Sequence, residues 1–422
     1  MNRTDRAAAG NRRRKAGFTA GFAAAVFGIG FMICGMGDPQ NSGEVRAFGL
    51  GPGYDRLPYS DTYGSYQWAL QNSGIFKLIG GEQTVLGNVL QDLGGSQKKK
   101  GPAAESDGSI LSVEGVDLNI IPAWKKYDAK ADKRRVVVAL IDTGVDYTHP
   151  ELADSIWVNE DEIPGDGIDN DGNGYIDDYY GWNFYAGNAE VFSGKEDNHG
   201  THSAGTIAAA RNGTGITGIC DPAYVKIMIV KTLGTEAGIG TADNVAKAIR
   251  YAEANGASIC NLSFGTGRYS EELYRTMKES GMLFVVAAGN GDEAGHGYDI
   301  DSKPVYPASF DLDNIIAVGN LQFDGQMDSA SNYGKKNVDL AAPGSYILST
   351  VSGGRYSYMS GTSMAAPMVT GAAALLYSYD PNLAITEVKG RILNSVRHLE
   401  RLEGKTVSGG MPDVSAALAF SD

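Results

Sequence analysis

The sequence predicts an α/β protein: three layers, with a mostly parallel sheet covered by helices on both faces. Its continuous aliphatic runs read as strands buried on both sides, the first being Val136-Val137-Val138-Ala139-Leu140-Ile141. Segments with helical spacing alternate with these runs, and such alternation implies parallel strands joined by covering helices. A long small-residue helix after Pro367 (Met368 to Tyr377) can be buried on most sides, because Ala and Gly let other elements approach closely.

Taken in order, Arg12-Arg13-Arg14-Lys15 precedes an uncharged stretch from Ala16 to Met36. A cationic flank before a hydrophobic segment reads as a signal peptide or a signal anchor over 1–37, and the sequence leaves both open. The positive-inside bias would keep the N-terminus in the cytoplasm and send the rest across. The expected location is therefore extracytoplasmic, secreted or held at the membrane by this segment. Residues 38–58 read as a linker, and 59–422 as one large domain. Within it, 92–108 contains Gly-Gly-Ser-Gln-Lys-Lys-Lys-Gly-Pro and reads as an exposed inserted loop.

After the first buried run, further strands are expected at Val225–Leu233, Ser258–Phe264, Leu283–Ala288 and Ile315–Gly319. Helices are expected at Ala242–Ala254, with Val245, Ala248, Ile249 and Ala252 on one face, and at Glu271–Glu279. The formal net charge of −14 argues against a nucleic-acid partner, which would want a basic stripe. Of the three cysteines, Cys34 belongs to the leader; Cys220 and Cys260 read as small buried residues, with a disulfide between them left open.

Three remote segments carry chemistry. Asp142 ends the first buried strand, where open parallel sheets place their ligands, although Asp142-Thr-Gly is also an ordinary turn. Asn198-His199-Gly200-Thr201-His202 opens a short helix; the histidine pair also has the spacing of two metal ligands, with no third nitrogen or sulfur ligand nearby. Ser363, in Ser360-Gly361-Thr362-Ser363-Met364-Ala365-Ala366-Pro367, stands at the mouth of the small-residue helix. There it is either a helix cap or an oxygen placed to develop negative charge in the positive field of the helix start. Pro367 is expected in the opening turn, where amides lack partners anyway.

The acid–base–nucleophile order Asp142, His199, Ser363 is that of subtilisin. Asp142-Thr-Gly, His199-Gly-Thr-His and Gly361-Thr-Ser363-Met-Ala-Ala-Pro resemble the signatures of the subtilisin-like serine proteases, over about Tyr59 to Ala419. The resemblance implies the subtilisin-like three-layer fold and a monomeric endopeptidase acting on polypeptides. It implies that Asp142 orients His199, that His199 activates Ser363, and that Asn290, in Ala288-Gly289-Asn290, donates to the oxyanion. Tyr63-Gly-Ser-Tyr-Gln-Trp68 is similar to the start of the family's mature domain, and Val116 to Trp124 to its first helix region. The family's folded propeptide has no counterpart in 38–58, which is too short for one.

By the same resemblance, Ser263-Phe264-Gly265 would pair with substrate backbone by strand addition, and Val305-Tyr306-Pro307-Ala308 would wall the primary pocket. With no acid in either segment, an apolar or aromatic residue is expected before the scissile bond. The run Asp166 to Asp178 is dense in hard oxygen ligands and resembles the start of an EF-hand loop, but Tyr180 stands where its closing glutamate would be. A calcium-binding surface loop is expected there, with Asp169, Asp171, Asn173 and Asp177 as ligands. A second structural calcium is implied by resemblance alone at Asp61, Glu151, Asn212, Thr214 and Ile216. A dedicated peptide-maturation protease or transpeptidase would use the same residues. A catalytically silent calcium-binding surface protein would keep the fold without using them.

Overall fold

A computed structural model describes residues 34–35, 59, 61–74, 77–78, 110–234, 240–292 and 294–420. The expected linker (38–58), the inserted loop (92–108) and the leader, apart from residues 34 and 35, lie outside these.

The buried runs form one parallel sheet. Its seven strands are β1 (Val136–Asp142), β2 (Gly181–Asn183), β3 (Val225–Lys231), β4 (Ile259–Leu262), β5 (Leu283–Ala287), β6 (Ile315–Leu321) and β7 (Leu340–Pro343), in the order β7-β6-β5-β4-β1-β3-β2. From β1 the chain goes to the edge strand β2, fills the gap with β3, and then builds outward on the other side of β1 through β4 to β7. Asp142 is therefore the last residue of the strand where the order reverses, the place such sheets reserve for ligands.

Period-two alternation divides the central strands between two cores. Val138, Leu140, Ile227, Ile229, Val285 and Val318 face one layer, built on α1 (Ile120–Ala129), α2 (Asn198–Ala208) and α5 (Thr362–Tyr379). Ala139, Ile141, Met228, Val230, Val286 and Ala317 face the other, built on α3 (Ala242–Ala254) and α4 (Glu271–Glu279). Two shorter helices, α6 (Ile385–Asn394) and α7 (Val414–Ala419), pack beside α5 on the first face. This is the three-layer arrangement expected from the sequence. The bounds of α3 and α4 agree with expectation, and Thr241 and Ser270 cap them by accepting from Asn244 N and Leu273 N. The Tyr63–Trp68 segment crosses the first face, and Trp68 donates its indole N–H to the Ser345 carbonyl at 3.0 Å.

An antiparallel hairpin of β8 (Ile347–Val351) and β9 (Arg355–Met359) lies outside the main sheet and packs on α2. Residues Cys34–Gly35 pair antiparallel with Tyr358 and Ser357 of β9. Cys220 and Cys260 are buried and free, so no disulfide joins them. Among the described residues no helix is long and apolar enough to cross a membrane.

Pro367 departs from expectation. It is the sixth residue of α5, a full turn beyond the helix start. Its missing amide therefore frees an interior carbonyl, that of Ser363 four residues earlier.

Candidate active site

Asp142 leaves β1 with its carboxylate buried. Its Oδ1 accepts from the Thr143 amide at 2.7 Å and from His199 Nδ1 at 2.6 Å. His199 is the second residue of α2, and two close approaches hold that helix, one against the strand end and one against the hairpin. A Cβ on Gly200 would sit 2.1 Å from the Gly144 carbonyl oxygen, and one on Gly205 would sit 2.2 Å from Thr350 Oγ1. The acid is thus buried, and the imidazole it fixes must carry its Nδ1 proton toward Asp142. Nε2 is then the acceptor nitrogen.

His202 serves a different purpose. Its Nε2 donates to the Ile347 carbonyl at 2.9 Å, tying α2 to the hairpin. Burial pushes its pKa down to about 4, against the pull of that carbonyl, so it is a neutral fastener. Neither histidine belongs to the one group of metal-ligating side chains among the described residues.

Ser363 is the second residue of α5, and α5 packs directly on α2. Its hydroxyl donates to the Ser263 carbonyl at 2.7 Å. The carbonyl freed by Pro367 is taken up by Ser263 Oγ, which donates to Ser363 O at 3.0 Å. Ser263 Oγ in turn accepts from Asn261 Nδ2 at 2.8 Å, and Thr370 Oγ1 donates to Asn261 Oδ1 at 2.7 Å. Sequence reasoning assigned Ser263 to substrate backbone and missed Asn261 and Thr370. The only signal for them was a polar residue inside an otherwise aliphatic strand and another inside an apolar helix.

Asn290 follows β5 in a turn. Its Oδ1 accepts from the Thr362 amide at 2.8 Å and from Thr362 Oγ1 at 3.0 Å. These donors fix which end of the amide is oxygen, so the side chain offers its Nδ2 donor to the cleft. Gly361 makes the fit possible: it caps α5 at φ 147°, and a Cβ there would lie 3.1 Å from Asn290 Nδ2. One cleft is lined by Ser363, Thr362, Asn290, Ser263, Phe264, Gly265 and Val305, together with Ala287 and Tyr298. It thus gathers the expected nucleophile, amide donor and substrate-contact residues, and no lining residue carries a charge.

Residues 133–411 match the model of the subtilase family, which groups peptidases of this kind. The chain belongs to the subtilase family. It is 35% identical over 298 residues to Subtilisin-like protease 1 of Plasmodium berghei, a match covering 67% of this chain and 49% of the relative. It is also 35% identical over 266 residues to the major intracellular serine protease of Bacillus subtilis, covering 62% of this chain and 75% of that one. The chain spans about half the length of its Plasmodium relatives. Among solved structures, a protease from Pseudoalteromonas arctica superimposes with a TM-score of 0.58 at 26% identity, covering 86% of this chain and 98% of that one. Fervidolysin from Fervidobacterium pennivorans does so at 0.55 and 28% identity, covering 70% and 44%. The fold is therefore subtilisin-like as well as three-layered.

This subtilase carries two acidic regions away from the cleft. In the first, Asp61 Oδ1 accepts from the Asn212 and Gly213 amides, and its Oδ2 accepts from Thr217 Oγ1. Glu151 Oε1 accepts from Tyr356 Oη at 2.9 Å and Thr214 Oγ1 at 3.4 Å. Glu151 Oε2 is buried with no hydrogen-bond partner among the described residues. Burial, with the neighbouring Asp61 charge adding to it, pushes the Glu151 carboxyl up to about 7. A buried orphan carboxylate oxygen beside a second carboxylate fits a hard cation. Ile216 is buried in the same loop.

The second region is the Asp166–Asp178 loop, which forms turns and no helix pair. Asp171 meets Glu162 and Asp178, with oxygens within 4.8 Å of one another. The other expected ligands mostly serve the loop itself. Asp169 accepts from the Asn173 and Gly174 amides, Asp177 accepts from the amides of residues 165, 166 and 167, and Asn173 Nδ2 donates to Asp171 and Asp178. Glu162 and Asp178 were missed as partners, because no fixed spacing marks a glutamate nine residues before the loop's central aspartate.

Proposed function

We propose that this subtilase is a serine endopeptidase. Ser363 attacks the substrate carbonyl, His199 takes its proton and returns it to the leaving amine, and Asp142 holds the imidazole tautomer. Asn290 Nδ2 and the Ser363 amide stabilise the oxyanion. One observation carries the reading: the buried 2.6 Å bond from His199 Nδ1 to Asp142, on a helix packed against the one whose second residue is Ser363. The Ser363–Ser263 bond is a resting arrangement, and the hydroxyl turns from it when a substrate amide claims the Ser263 carbonyl.

The uncharged cleft, with Phe264, Val305, Ala287 and Tyr298 on its walls, supports an apolar or aromatic residue before the scissile bond. Calcium would be held by Asp61 and Glu151 with Asn212, Thr214 and the Ile216 segment, and by Asp171 with Glu162 and Asp178, the oxygens of Asp169, Asn173 and Asp177 being engaged by loop amides. It would supply loop stability and no chemistry. Export, through the Arg12–Lys15 flank and the uncharged stretch after it, and action as a monomer complete the reading.

The test is hydrolysis of a fluorogenic peptide panel. Cleavage after Phe, Leu or Tyr that disappears in Ser363→Ala is expected. Best cleavage after Arg or Lys would overturn the specificity, and hydrolysis unchanged in Ser363→Ala would overturn the mechanism.

A further inference from the structure

The Ala288–Gly291 turn that presents Asn290 contains two glycines in the left-handed region, Gly289 at φ 95° and Gly291 at φ 75°. A turn built this way is not held by a helix or strand ladder, and a glycine pair without side-chain support would leave the Asn290 amide loosely aimed. A single buried side chain, Asn332, closes it. Its Nδ2 donates to the Ala288 carbonyl at 3.0 Å, and its Oδ1 accepts from the Gly291 amide at 3.1 Å. Its own backbone amide donates to the Gly289 carbonyl at 3.0 Å. The same Oδ1 takes the Tyr298 amide at 3.2 Å, joining the turn to the opposite wall of the cleft. Asn332 is 1% exposed, and a Cβ on Gly289 would come within 2.7 Å of its Nδ2, so the turn and the side chain are fitted to each other. Ser331 fixes the clamp from behind by accepting from the Asn320 amide and donating to the Asn332 carbonyl.

On the other side, Thr362 holds the same turn. It donates to Asn290 Oδ1 and accepts from the Gly289 amide at 3.1 Å. The amide donor is thus gripped between a residue beside the nucleophile and a residue from the loop after β6. We propose that Asn332 is a positioning residue for oxyanion stabilisation, acting through Asn290. The inference rests on the reading of Asn290 as the oxyanion donor.

Only a primary amide satisfies both ends of the turn, since it donates to one carbonyl and accepts from one amide with a single planar group. Asn332→Ala leaves three backbone groups to water or to each other. Asn332→Asp keeps the shape and turns the donor facing Ala288 O into a repelling oxygen. Because Asn332 also lines the cleft, a direct role in holding substrate would move KM, whereas a role through Asn290 moves kcat.

The experiment is a double-mutant cycle on the full chain with a fluorogenic peptide, active sites being counted with a fluorophosphonate probe. Asn332→Ala and Asn332→Asp are each expected to lower kcat about 10- to 100-fold at nearly constant KM, approaching the two to three decades lost on removing the donor itself. In the Asn290→Ala background the same changes should cost less than about threefold, because the interaction they tune is gone. Full multiplication of the two losses, an effect confined to KM, or unchanged kcat would overturn the proposal. If Asn332→Ala does not fold, the isosteric Asn332→Asp decides the matter alone. A wild-type chain that hydrolyses nothing and takes no probe would instead refute the protease reading, so the two failures are distinguishable.

Discussion

At the scale of single residues, the site is a set of polar groups held by specific hydrogen bonds. Asn290 is held through its oxygen so that its nitrogen faces the cleft. Asn290→Ala should therefore lower kcat by about two to three decades, the cost of the same loss in subtilisin, with KM nearly unchanged, as read from initial rates. Asp142, His199, Asn290 and Ser363 were legible in the sequence because each sits in a short motif at an element end. The supports behind them were not. Asn261, Thr370 and Asn332 are lone polar residues in apolar or irregular surroundings, and only the fold shows that each faces a backbone group or partner far away in the chain. The function of Ser263 was half legible: its backbone lies along the cleft, but its hydroxyl repairs the carbonyl that Pro367 leaves open.

At the scale of elements, close backbone approach decides the geometry. Helix α5 is buried along nearly its whole length, and a Cβ on Gly371 would lie 2.9 Å from the side chain of Ile219. Gly371→Val should destabilise the protein by about 1–3 kcal/mol, seen as a lower denaturant midpoint at unchanged slope. Helix α2 approaches still more closely at Gly200. Gly200→Ala should separate His199 from Asp142 and lower kcat more than it lowers stability, which a paired measurement of both will reveal. Continuous aliphatic runs made β1 and β3 readable, and helical spacing made α3 and α4 so. The three-residue β2 and the hairpin β8–β9, whose short strands mix polar and apolar residues without strict alternation, gave too little pattern to separate from loop. The Asp166–Asp178 loop was recognised by composition, but Glu162 and Asp178 join Asp171 through folding, which no spacing predicts.

At the scale of the whole molecule, the buried Glu151 carboxyl ties stability to pH, and the proposed calcium sites would tie it to cations. The folded Glu151 carboxyl titrates near 7, above its unfolded range, so its folded state binds the proton more tightly. That stability is present at low pH and is lost as pH rises from about 4.5 through 7. In chelator, Tm should fall over this window, and Glu151→Gln should flatten the fall. Millimolar calcium should raise Tm at pH 7.5 and do so less in Glu151→Gln. Thermal melts across pH, with and without calcium, check the sign. His202 works in the opposite direction: its depressed pKa of about 4 means that the stability it contributes is present above about 6.5 and is lost as pH falls toward 4.

The most direct test of the central claim is the rate of fluorophosphonate labelling, mapped by mass spectrometry of the digested protein. The account predicts one adduct, on Ser363, formed decades more slowly in His199→Ala and absent in Ser363→Ala. An adduct on another residue, or a Ser363 adduct whose rate ignores His199, would contradict it.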